Sequence, residues 1–172
     1  MNEKKQWNIN MLVMLGLLIA IEVVLSRFLS ISTWNIKIGL SFIPVVVAAV
    51  MYGPVQAGMV AAVGDFVGAI LFPIGMYFPG FTVTAYLCGF VFGKCLYKKR
   101  SLRRIIVAIG INQIVFSLFL NSLWISILYG SPYLPLLGTR IFQCIILAIV
   151  QFVVIGSMKK VLFPYLEKQV MV

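Results

Sequence analysis

Arg27, Lys37 and Arg140 are cations that stand apart from the basic clusters of this chain, each at or near the end of an apolar run. Aromatic residues gather at the same ends: Phe28 and Trp34 after the first run, Tyr77, Phe78 and Phe81 after the third, and Trp124, Tyr129 and Tyr133 around the fifth. Asn121 lies one helical turn before Trp124. Arginine forks a carboxylate through two parallel hydrogen bonds, and aromatic faces stack on planar rings. This set suits recognition of a flat, aromatic, anionic ligand. Arg27, Lys37 and Arg140 supply positive field, Trp34, Phe78 and Trp124 stack, and Asn121 and Asp65 meet a ring edge. The competing reading is an interfacial aromatic belt with snorkelling arginine and lysine. It explains single aromatics well but three outer cations less well, because basic residues are disfavoured on that side.

Asp65 and Glu22 are the two acids inside apolar runs. Charges at such positions are costly and face a cavity or a partner. Asp65 either accepts hydrogen bonds from a ligand or pairs with Arg27 or Arg140 as scaffold. Glu22, five residues before Arg27, reads as half of a local polar pair.

Other chemistry is excluded. The chain has no P-loop and no His, so it offers no nucleotide site and no metal-ligand spacing. No hydroxyl–base constellation is present, so catalysis and a cofactor are not expected. Cys88, Cys95 and Cys144 lie in apolar runs without a C-x-x-C motif, and read as small buried packing residues.

The elements that must position these residues are transmembrane helices. Of 172 residues, 62% are hydrophobic and 10% charged, against roughly a quarter charged in soluble domains. Mean hydropathy is +1.08. A spanning helix needs about 20 apolar residues. Six runs qualify or nearly so: Ile9–Ser26, Leu40–Met51 with a possible extension back to Lys37, Val55–Phe72, Phe81–Tyr97, Ile105–Leu128 and Leu137–Met158. The second is short, and Pro44 predicts a kink in it. Breakers mark Tyr52-Gly53-Pro54, the stretch from Pro73 to Gly80, and Gly130 to Pro135. The expectation is an all-α bundle of six transmembrane helices forming one domain over residues 1–172. The first run superficially resembles a signal peptide, but no A-x-A-like site follows, so it is read as an uncleaved span. Residues 161–172 suit an amphipathic surface helix.

The net charge of +10 follows membrane logic, not nucleic-acid logic. Lys4–Lys5, Lys98–Arg100 with Arg103–Arg104, and Lys159–Lys160 flank apolar runs. Six spans put all three clusters on one side, and the positive-inside rule makes that side cytoplasmic, with both termini there. Anionic lipid headgroups are the natural partners of these clusters; nucleic acid is not. Small residues recur at i, i+4 in Gly16/Ala20, Ala57/Ala61, Gly64/Gly68 and Gly89/Gly93, a spacing that lets helix backbones approach closely.

The stretch from Trp34 to Pro44, Tyr52-Gly53-Pro54, Gly64-Asp65, and the run Phe72-Pro73-Ile74-Gly75-Met76-Tyr77-Phe78-Pro79-Gly80-Phe81-Thr82 resemble the folate-specific substrate-binding (S) subunits of energy-coupling factor transporters. The likeness covers most of the chain. It implies high-affinity folate capture at the outer face of the cell membrane, with no enzyme activity. It also implies docking on a transmembrane coupling subunit driven by two ABC-type ATPases, toppling to release vitamin inside, and a gating role for the loop Arg27–Gly39. In that family a small-xxx-small motif on the first span contacts the coupling subunit; Gly16/Ala20 matches the place, with Gly for the usual first Ala.

Three alternatives stay open on sequence. An S subunit for another ring-bearing vitamin would leave the outer cations without purpose if its ligand were neutral. A self-sufficient secondary transporter or channel wants a continuous polar pathway. A structural subunit would bind no vitamin.

Overall fold

The computed structural model describes residues 9–32, 37–98 and 101–161, with residues 31, 32, 37 and 38 described by their backbone alone. Helix α1 runs Ile9–Arg27 and ends in Arg27. Two short strands follow, β1 (Ser30–Ser32) and β2 (Lys37–Gly39), paired antiparallel with Ser30 opposite Gly39 and Ser32 opposite Lys37. A Cβ at Gly39 would lie 2.6 Å from Ser30 Cβ, so the pairing needs glycine there.

Helix α2 (Phe42–Met51) is shorter than its apolar run. Its ten residues rise about 15 Å, half a hydrocarbon core. Lys37 belongs to β2 and does not extend the helix. Pro44 is the third helical residue, where its missing N–H has no intrahelical bond to lose, so the expected kink has no cause. The helix is apolar on every face and interior: Val46, Ala48 and Ala49 are fully buried.

Gly53, at φ 98°, turns the chain into α3 (Pro54–Leu71), with Pro54 at the first helical position. After the 72–78 loop, α4 (Pro79–Leu96) again begins on proline. Helices α3 and α4 approach so closely that Cβ atoms on Gly89 and Gly93 would strike the backbone of Ala57 and Pro54. Small residues here hold two backbones together.

The fifth span is one apolar stretch of 28 residues, Leu102–Tyr129. It is α-helical at both ends, as α5 (Leu102–Gly110) and α6 (Asn121–Tyr129), with a π-helix over Ile111–Leu120 between them. Gly130, at φ 63°, closes α6 in the left-handed conformation. Helix α7 (Tyr133–Val161) starts earlier than the breakers suggest, with Pro135 in its first turn. The expected amphipathic tail beyond Val161 lies outside the described residues.

Among the described residues, five helical stretches are long and apolar enough to cross a membrane, and α2 is a sixth, shorter apolar helix. The apolar core, with Val46, Val60, Leu96, Ile105 and Ile155 almost fully buried, occupies the end of the bundle that carries Lys98, Arg103, Arg104, Lys159 and Lys160. Outward positions such as Leu12, Val13, Ile106, Phe142 and Ile149 are large and exposed, as expected where lipid is the solvent.

Candidate ligand-binding cavity

The opposite half of the bundle is hollow. A cavity of about 390 Å³ is lined by α1, α2, α3, α4, the fifth span and α7. That volume falls in the range of small-molecule sites, roughly 300–1,000 Å³. Gly75, Met76, Tyr77 and Tyr129, all exposed, lie at its mouth, near the loops at 72–78 and 130–132.

The upper wall is charged. Glu22 and Arg27 reach it from α1, Asp65 from α3 and Arg140 from α7. Gly64 and Gly68 are what admit the first two. A Cβ at Gly68 would lie 2.7 Å from Arg27 Nε, and one at Gly64 would overlap the Glu22 carboxylate. This glycine pair therefore serves less as a backbone-to-backbone contact than as a bare strip on which polar side chains of α1 lie. Across it Arg27 Nη2 stands 3.8 Å from Asp65 Oδ1 and donates to the Asp65 carbonyl at 3.3 Å. Thr82 Oγ1 donates to Asp65 Oδ2 at 2.9 Å and lies 3.2 Å from the Tyr77 hydroxyl. Of the two readings of Asp65, the scaffold pairing with Arg27 is present, and Asp65 still borders the cavity. The local pairing expected for Glu22 is not what anchors Arg27: its ion pair crosses to α3.

Arg140 lies two turns inside α7 and is only 4% exposed, so it is no interfacial anchor. Its Nη2 donates to the Ser117 carbonyl in the π-helix at 3.1 Å. A π-helix widens the turn and commonly marks a functional site; here its carbonyls also meet Tyr133 Oη, which donates to Phe119 O at 3.3 Å.

Four of the sequence-predicted residues, Arg27, Asp65, Asn121 and Arg140, converge on the cavity. Trp34 lies outside the described residues, and Lys37 is placed in β2 by its backbone alone. Phe78 and Trp124 are not in the wall. Their rings pack together at 5.4 Å, Trp124 Nε1 donates to Thr84 Oγ1 at 3.0 Å, and both press on Gly80. Their aromatic surface is spent on seating α4 against α6, and the cavity-lining aromatics are Phe42, Tyr77, Phe81, Phe92 and Tyr129. The expected positive field is also offset, since Glu22 and Asp65 share the wall with Arg27 and Arg140.

Sequence reasoning missed the lower wall, where Asn112, Gln113 and Gln151 border the cavity. Amides in otherwise apolar runs were the available signal.

A helical bundle with one packed apolar half and one hollow, arginine-bearing half defines a membrane-embedded binding protein for a small polar molecule. Residues 10–156 match the family model of the ECF transporter substrate-specific component, and the chain belongs to that family. It is 38% identical over 155 residues to the folate transporter FolT of Clostridium novyi (strain NT), covering 89% of this chain and 90% of that one. Identity to the folate transporter FolT of Leuconostoc mesenteroides is 32% over 123 residues, 70% of this chain and 66% of that one. A crystal structure of FolT bound with folic acid superposes with a TM-score of 0.81 at 35% identity, covering 86% of this chain and 90% of that chain.

The Arg27–Asp65 contact predicts strong coupling between two helices. Asp65→Leu leaves a guanidinium that is 10% exposed without its carboxylate, at an expected cost of about 1–3 kcal/mol. Adding Arg27→Leu should recover much of that loss. Unfolding midpoints of the four proteins in detergent give the cycle; additive losses would show that the pair carries no coupling.

Proposed function

We propose that this chain captures folate at the outer membrane face as the S component of an ECF-type importer. The carrying observation is Arg140, a buried cation in the wall of a ligand-sized cavity. A guanidinium this deep suits a carboxylate ligand. Folate is flat at its pterin, aromatic in the middle and dianionic at its glutamate, and the relatives named above carry folate in their names. In this reading Arg140 grips the glutamate, Arg27 and Lys37 add field near the mouth, and Asp65 holds Arg27 in position. Asn121 borders the ligand, Phe78 and Trp124 support the wall from behind, and Trp34 is kept as a stacking partner on the sequence reading alone.

The chain forms one domain of six spans, α2 being the short one, with both termini cytoplasmic. The packed apolar half at the basic end favours capture over self-sufficient passage, because it provides no polar route. Release inward then depends on a coupling subunit and two ABC-type ATPases, and the chain itself performs no catalysis. Gly16 and Ala20 are exposed on α1, and a Cβ at Gly16 would meet nothing within 4 Å. That open, small-residue strip suits close approach by a partner helix.

Orientation is testable with single cysteines at Ser101 and Ser131 in a chain otherwise free of cysteine. An impermeant reagent on intact cells should label position 131 and spare 101; the reverse pattern would overturn the topology.

Reconstituted alone, the protein should bind folate without concentrating it, with or without ATP. Uphill uptake by the isolated chain would refute the S-component reading. Gly16→Leu should abolish uptake in the assembled transporter while folate affinity stays unchanged.

Arg140→Ala should weaken folate by roughly ten- to a hundredfold, the equivalent of a lost charged hydrogen bond of ~1.5–3 kcal/mol. Arg140→Lys should recover part of it, lacking the planar fork. Pteroate, which has no glutamate, should bind both variants nearly as it binds the parent. Equal losses for the two ligands would remove the glutamate contact, and no loss for either would remove Arg140 from the site.

A further inference from the structure

We propose that the basic end of the bundle, opposite the cavity, seats an anionic phospholipid. Arg103 and Arg104 of α5 grip its phosphate, the lysines ending α4 and α7 add charge, and its acyl chains run along apolar faces of α5 and α7. The proposal rests on side chains outside the cavity and is independent of the folate reading.

Lys94 lies in the last turn of α4, Arg103 and Arg104 in the first turn of α5, and Lys159 and Lys160 in the last turn of α7. Helix α5 packs against both α4 and α7, and Lys94 and Arg104 come close enough for the charge of each to act on Cys95. Among the described residues, none of these cations has an ion-pair partner, and the two acids, Glu22 and Asp65, are in the cavity wall. Arg103 and Arg104 also stand against the helix dipole, which disfavours cations at a helix start, and no acidic residue offsets them there. Beside them Lys98 Nζ lies 5.5 Å from the centroid of the Tyr97 ring, an aromatic of the kind that marks a membrane–water boundary. Positive charge is thus concentrated at headgroup level, and the described part of the chain does not neutralise it.

What continues from the cations selects the partner. Ile106 and Val107, at i+3 and i+4 from Arg103 and so on its face of α5, are 55% and 53% exposed. Val153, two turns before Lys160 on α7, is 59% exposed. A phosphodiester bearing acyl chains matches both parts of this surface. Arginine forks phosphate oxygens through parallel hydrogen bonds, and the chains cover the isoleucine and valines. An acidic protein segment or a free phosphate would answer the charge and leave the apolar faces unmatched. A zwitterionic lipid brings its own cation beside the phosphate, so an anionic headgroup gains more from the cluster.

The full chain, purified in detergent, is titrated with phosphatidylglycerol, with phosphatidylcholine of the same chains, or with inorganic phosphate, and bound lipid is counted by native mass spectrometry. Phosphatidylglycerol should bind saturably and raise the unfolding midpoint. Phosphatidylcholine should bind roughly tenfold or more weakly, and inorganic phosphate should neither raise the midpoint nor displace the lipid. Arg103→Gln combined with Arg104→Gln should weaken phosphatidylglycerol roughly ten- to a hundredfold. Lysine at both positions should recover part of that loss, since it keeps the charge without the fork. Equal binding of the two lipids by the parent would overturn the proposal and leave the cations as orientation signals only; this comparison needs no variant, so it decides even where a variant fails to fold. Undiminished phosphatidylglycerol binding by the glutamine variant would also overturn it. So would an equal effect of inorganic phosphate, which would mark a plain anion site. A parent that gains nothing from phosphatidylglycerol, with a glutamine variant that no longer assembles with the coupling subunit, would overturn it in favour of an acidic protein partner.

Discussion

Arg27 of α1 meets Asp65 of α3 across a strip of helix made bare by Gly64 and Gly68. The hollow half of the molecule depends on that meeting. Charged groups far from water need partners, and here each partner is on a different helix, so satisfying the charges fixes how α1 and α3 lie together. Thr82 then ties the same carboxylate to α4, and Tyr77 extends the chain of contacts to the mouth. Side chains at Gly64 and Gly68 would push Glu22 and Arg27 off the helix and disorder that wall.

The two halves of the bundle differ because α2 does. At ten residues it fills only the half that ends in basic residues, where its wholly apolar surface is enclosed by α1, α3 and α4. Only Phe42 and Val45, near its start, touch the cavity. Above it the chain is an extended ladder, and Gly39 and Ser41 pass along the cavity where a longer helix would have filled the space. A short span thus creates room, and the close α3–α4 contact seals the far end.

The π-helix solves a related problem in the fifth span. Over Ile111–Leu120 its wider turn brings Asn112 and Gln113, consecutive in sequence, to buried positions beside the cavity. It also presents Ser117 and Phe119 carbonyls to donors from α7, Arg140 and Tyr133. A backbone group, the Ser117 carbonyl, thereby helps to hold the guanidinium in the wall.

Sequence by itself determined the apolar runs, the breaks at Tyr52-Gly53-Pro54, between Pro73 and Gly80 and after Gly130, though not where α4 and α7 begin, and the gathering of basic residues next to apolar runs. Each is a local property: hydropathy over a turn-rich chain and the special backbone of glycine and proline. It also singled out Arg27, Asp65, Asn121 and Arg140, because polar residues are conspicuous in apolar runs. Only the tertiary structure decided direction. Helices such as α1 and α4 are apolar on most faces, so periodicity does not say which side meets protein and which meets lipid. Phe78 and Trp124 looked like ligand-facing aromatics, yet they pack behind Gly80. Gly64 and Gly68 looked like a helix-packing motif, yet they cradle side chains. Asn112 and Gln113 on the fifth span are far in sequence from Gln151 on α7, and they meet around one cavity only when the fifth span widens and α7 packs against it. Those placements depend on which helices are neighbours, and that is set by contacts between residues tens of positions apart.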